Sequence, residues 1–125
     1  MKEKIKKLII DILTESEEIT LTALKNHELF KKLCSGDLDW TISDEQGETM
    51  NILFMAGLNL DCIESFYELS SDKIIKIVPS DFWAVGHDGG EAYDLPIANS
   101  FIKYKTLHWS PRLIKRDINF KNSIT

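Results

Sequence analysis

The stretch Asn51-Ile52-Leu53-Phe54-Met55-Ala56-Gly57-Leu58-Asn59-Leu60-Asp61-Cys62-Ile63-Glu64-Ser65-Phe66-Tyr67-Glu68-Leu69 decides how the rest of the chain is read. Its spacing predicts two short helices joined by a tight turn at Gly57. Ile52 and Ala56 lie four apart on the first, while Leu60, Ile63, Phe66 and Tyr67 recur at three and four on the second. Leu58 fills the corner between them. Glycine accepts a positive φ, so the first helix can end there and the chain can turn. Asn59 is the expected N-cap of the second helix, its side-chain oxygen free to accept from a first-turn amide.

Upstream, Ile5, Leu8, Ile9, Ile12 and Leu13 form one apolar stripe and predict a helix over Met1–Ser16. That stripe can dock within the domain or on a second copy as a homodimer. Thr20 caps a further helical stretch over Leu21–Leu33, either one helix or two short ones broken at Asn26-His27. Leu38, Trp40 and Ile42 alternate with Asp37, Asp39 and Thr41 as a strand does. Ser43-Asp44-Glu45-Gln46 then reads as a capping box opening a helix over Asp44–Ala56. Gly47 opposes that helix, and a hairpin with Gly47 in its turn is the alternative for residues 38–56. The helix is favoured because it delivers Asn51–Gly57 to the turn.

Downstream, the second helix ends near Ser70-Ser71, and Ile74, Ile75, Ile77 and Val78 have the composition of a strand. Pro79-Ser80-Asp81 breaks it. Phe82–Gly86 and Glu91–Leu95 then flank a turn at His87-Asp88-Gly89-Gly90. From Ala98 the chain interleaves aromatic and aliphatic residues with bases, and Pro111 forbids a continuous helix there.

Ala56-Gly57-Leu58-Asn59, with Ile52 before and Ile63 and Phe66 after, resembles a helix-turn-helix signature, and Lys73–Leu95 resembles a wing. Over about Asp44–Ile97 the chain is thus similar to the winged helix-turn-helix superfamily. The resemblance implies an α+β fold in a single domain, residues 1–125. Its parts are N-terminal helices (1–36), a winged-helix core (37–97) and a basic aromatic extension (98–125). It also implies nucleic-acid binding, with the second helix in the major groove.

The 125 residues suit one domain, and their 43% hydrophobic and 28% charged content describes a globular chain that needs no disulfide or metal. No apolar run approaches the roughly 20 residues of a membrane span, and the charged N-terminus lacks the apolar core of a signal peptide. Cys34 and Cys62 form no CxxC or zinc spacing and read as ordinary free thiols of a reduced, cytoplasmic protein. His27, His87 and His108 lie far apart, and only His87, beside Asp88 in a Gly-rich turn, invites a check for chemistry. No catalytic or cofactor motif is present, so neither an enzyme nor a cofactor is expected.

Charge is strongly polarised. Residues 37–72 carry nine acids and no base, whereas residues 101–125 carry six bases and one acid, within a net charge of −5. Asp61, Glu64 and Glu68, at i, i+3 and i+7, share the outer face of the second helix. Such a face repels phosphates, whose neutralisation supplies most nonspecific affinity for DNA. The expectation is therefore a protein partner with a basic surface, met by Asp61, Glu64 and Glu68 with Asp44, Glu45 and Glu48. Occupying a nucleic-acid site on that partner is the natural version, and a phage-type inhibitor of a defence nuclease is one setting. The alternative is a DNA-binding regulator using wing and tail through Lys73, Lys76, Lys103, Lys105, Arg112, Lys115 and Arg116. In the blander reading those bases pair with the acidic middle of the chain itself.

Overall fold

The apolar stripe of the first helix enters the core: Ile5, Ile9 and Leu13 are fully buried, and Leu8 nearly so. It is covered within the chain rather than left for a second copy. The structure is a computed structural model and describes residues 1–80, 93–98 and 100–123. In chain order the elements are α1 (Lys2–Glu15), β1 (Glu18–Thr20), α2 (Leu21–Lys25), α3 (Glu28–Cys34), β2 (Ser35–Ser43) and β3 (Thr49–Leu58). There follow α4 (Leu60–Ser71), β4 (Ile75–Pro79), β5 (His108–Trp109), β6 (Arg112–Arg116) and a short terminal helix, α5 (Phe120–Ser123). The fold is α+β.

Among the described residues two three-stranded sheets frame it, one in the order β2-β3-β5 and one in the order β1-β6-β4. In the first, β2 and β3 form an antiparallel hairpin, and β5 joins β3 in parallel with Ile52 beside His108 and Leu53 beside Trp109. In the second, β6 is central and antiparallel to both neighbours. Helix α4 packs on α1, α3, β2 and β4.

The helix expected over Asp44–Ala56 is a correction. Those residues are the hairpin turn and β3, so the helix-turn-helix pair expected over Asn51–Leu69 retains only its second helix. The alternative with Gly47 in the turn is what forms. Asp44 accepts from the amides of Gln46 and Glu48 at 2.9 and 3.0 Å, and Gly47 takes a φ of +83°. Ile52–Met55 is buried at every position, as befits a central strand covered on both faces. Such a continuous apolar run has no period to separate it from a buried helix. Gly57 does adopt the expected positive φ, +75°, but at the end of a strand.

Other local expectations hold. Thr20 caps α2 through the Ala23 amide, and the chain breaks at Asn26-His27 into two helices. Asn59 caps α4 by accepting from Cys62 N at 2.8 Å, and α4 ends at Ser71. Strand β4 matches the expected start of the wing but pairs with β6. The remainder of the wing, Phe82–Leu95 with His87 and Asp88, falls largely outside the described residues.

Candidate protein-interaction surface

The rotation of α4 about its axis decides which side chains meet solvent. Cys62, Ser65, Phe66 and Leu69 point inward. Asn59 sets this rotation: its carbonyl caps the helix while its amide donates to Leu33 O at 2.8 Å. Cys62 then meets Cys34, both fully buried; its thiol's hydrogen bond to Cys34, with burial, pushes the Cys62 thiol far up. Leu60 and Tyr67, expected to face inward, are instead 58% and 52% exposed.

Strand β2 runs beside the first two turns of α4. At one end Gly36 lies against Asn59; at the other Trp40 stacks on Phe66 at 4.7 Å and donates its indole N–H to the Tyr67 hydroxyl at 3.1 Å. Leu38, 44% exposed, falls between these contacts, with Asp37 and Asp39 exposed on either side of it. The outer face of α4 thus carries exposed Leu60 and Tyr67 with Asp61 and Glu64, and β2 separately exposes Leu38, Asp37 and Asp39. Among the described residues none of those four carboxylates has an ion pair.

The six acids singled out from the sequence separate into two groups. Glu68 is engaged by α1, accepting from Lys6 Nζ at 2.7 Å and Lys2 Nζ at 2.9 Å. Those bonds, Lys6 first, hold its carboxyl below the ordinary range, and Glu68 in turn raises Lys2. Asp44 and Glu48 belong to the hairpin turn, where Lys103 bonds Glu48 and lies 3.8 Å from Asp44. The Glu48 amide is the leading cause that lowers Asp44, and the Glu48 carboxylate raises Lys103. Asp61, Glu64 and Glu45 keep their charges free of ion pairs among the described residues.

The seven bases do not share one face. Lys76 and Lys115 are direct cross-strand neighbours on β4 and β6, with Glu18 on the other side of Lys115. Arg112 and Arg116 alternate to the opposite face of β6. Arg116 donates to the carbonyls of Leu13 and Thr14 at 2.6 and 2.9 Å, closing the C-terminal end of α1. Lys103 is spent on the hairpin turn, while Lys73 and Lys105 are exposed. Trp109 is buried, so part of the basic tail packs on the domain and pairs with its acidic middle.

Leu38, Leu60 and Tyr67 were not foreseen as surface residues. The signal was present on α4, because Cys62, Phe66 and Leu69 also recur at four and three and compete with the stripe Leu60, Ile63, Tyr67. Among the described residues no group of three His, Cys, Asp or Glu could hold a metal ion, and no helix is long and apolar enough to cross a membrane. Comparison with models of known protein families, with curated proteins and with solved structures finds no match.

Proposed function

We propose that this protein is a non-enzymatic interaction protein that presents the acidic and apolar surface of α4 and β2 to a basic surface on another protein. The observation that carries the reading is the outer face of α4, where Leu60 and Tyr67 are more than half exposed and Asp61 and Glu64 have no ion pair among the described residues. Exposed apolar side chains supply affinity when covered, and the acids beside them select the sign of the partner. Of the acids expected to make the contact, Asp61 and Glu64 are central and Glu68 is structural. A basic partner of this kind is often a nucleic-acid-binding protein, so occupation of its nucleic-acid site is the simplest consequence. The two free thiols suit a reducing compartment such as the cytoplasm.

The test is affinity capture from the native host after nuclease treatment, with mass spectrometry of what is retained. Wild-type protein is expected to retain a basic protein. Asp61→Lys with Glu64→Lys should lower that retention at least about tenfold while leaving the melting curve in place. Equal retention by the charge-reversed protein would end this reading. A DNA-binding regulator is the second reading, favoured by the cross-strand pair of exposed Lys76 and half-buried Lys115. It requires a gel shift that weakens steeply with salt and with Lys76→Glu.

A further inference from the structure

A cleft of about 390 Å³ opens between the end of β4, the residues Ile97, Ala98, Ser100 and Phe101, and the corner joining β5 to β6. Its size falls within the roughly 300–1,000 Å³ of small-molecule sites. Arg112 lines it, together with Ser80, Ser100, Ser110, Ile97 and Phe101.

The Arg112 guanidinium is fixed before any ligand arrives. Its carbon lies 4.4 Å from the Phe101 ring centre and 4.8 Å from that of Phe54. Its Nε donates to Ser110 Oγ at 3.0 Å. Two rings and one hydroxyl therefore hold the group, while among the described residues neither terminal nitrogen has a hydrogen bond and no carboxylate forms an ion pair with it. Burial lowers its affinity for the proton, as expected of a cation partly removed from water. In the wall of the cleft, Ser80 Oγ is buried without a hydrogen-bond partner among the described residues.

A partly desolvated cation with no ion pair among the described residues is unfavourable, and the natural compensation is an anion. The fork of a guanidinium matches an oxyanion bidentately, a geometry that a lysine ammonium cannot reproduce. A phosphate monoester offers three terminal oxygens and nearly two negative charges. That is enough to take both terminal nitrogens of Arg112 and the Ser80 hydroxyl together, with Ile97 and Phe101 left to contact an apolar body. We propose that this cleft binds the phosphate of a small phosphomonoester, with Arg112 as its bidentate partner and Ser80 as a further donor. The site is separate from the acidic surface of α4 and does not rest on the partner proposed there.

The experiment is a titration of the full chain with phenyl phosphate, followed by amide chemical shifts, with phenol and benzoate as comparators. Saturable shifts at the Phe101 and Ser110 amides are expected with phenyl phosphate and not with phenol. Arg112→Lys keeps the charge but loses the fork, and should weaken binding at least about tenfold. Ser80→Ala should weaken it a few-fold, and it decides the matter if Arg112→Lys does not fold. Absence of saturation up to about 10 mM, equal binding of phenol or benzoate, or unchanged affinity in the variants would each overturn the proposal.

Discussion

Along α4, two carboxylates without ion pairs among the described residues stand beside side chains that are more than half exposed; at the start of β6, one arginine likewise without an ion pair is wedged between two aromatic rings. The first charge is held by water and the second by protein. A solvated acid gains little from a single counter-ion, so the α4 surface needs a partner large enough to cover Leu60 and Tyr67 as well. A cation already stripped of part of its water and fixed in place gains from one small anion. Net charge along a sequence gives the sign of a partner, but burial sets its size.

The two regions share a wall, and removing it should damage both. Trp40 stacks on Phe66 behind the acidic surface and meets Phe54 edge-on at 5.2 Å, and Phe54 carries Arg112. Trp40→Ala is expected to cost about 3–5 kcal/mol in urea denaturation and to weaken any ligand of either region. Gly36→Ala separates them. A β-carbon there would lie 2.6 Å from Leu58 O and 2.8 Å from Asn59, so β2 must move away from α4. Its expected cost is about 1–3 kcal/mol, with the Arg112 resonances unperturbed. Asn59→Ala removes the cap that orients α4 and should cost about 1 kcal/mol by the same denaturation.

The smallest effect belongs to Glu68 and depends on pH. Its carboxyl titrates below the ordinary 4.5, so its bonds to Lys6 and Lys2 stabilise fully above that pH. Their contribution is lost as pH falls through the depressed folded value. The wild-type melting temperature should therefore fall more steeply between about pH 5 and pH 3 than that of Glu68→Gln, and added salt should narrow the difference. Parallel curves would mean that the pair contributes nothing and that Glu68 is free for a partner after all.

Much of the local structure was readable because its causes are local. The stripe of α1, the caps at Thr20 and Asn59 and the ends of α4 depend on residues within a few positions of one another. The hairpin was readable only as an alternative, through Gly47, because Ile52–Met55 is buried on both faces and a strand so placed has no alternation to show. The outward face of α4 was not readable, since two apolar stripes overlap on it and only contacts with Leu33 and Cys34 choose between them. The internal ion pairs join Lys2 and Lys6 to Glu68 and Lys103 to Glu48, across more than 50 residues each, so a charge run in the sequence overstated how many acids remain available. The Arg112 cleft depends on Phe54 and Phe101 arriving from separate parts of the chain.

The buried thiols of Cys34 and Cys62 turn the junction of α3, β2 and α4 into a clock. Both are sealed from solvent, and the Cys62 thiol is pushed far up, so a thiol reagent cannot modify them in the closed fold. Alkylation must wait until α4 lifts from α3, and its rate counts those openings. A partner that clamps the outside of α4 should slow the clock, whereas a ligand confined to the Arg112 cleft should leave it running at the same pace.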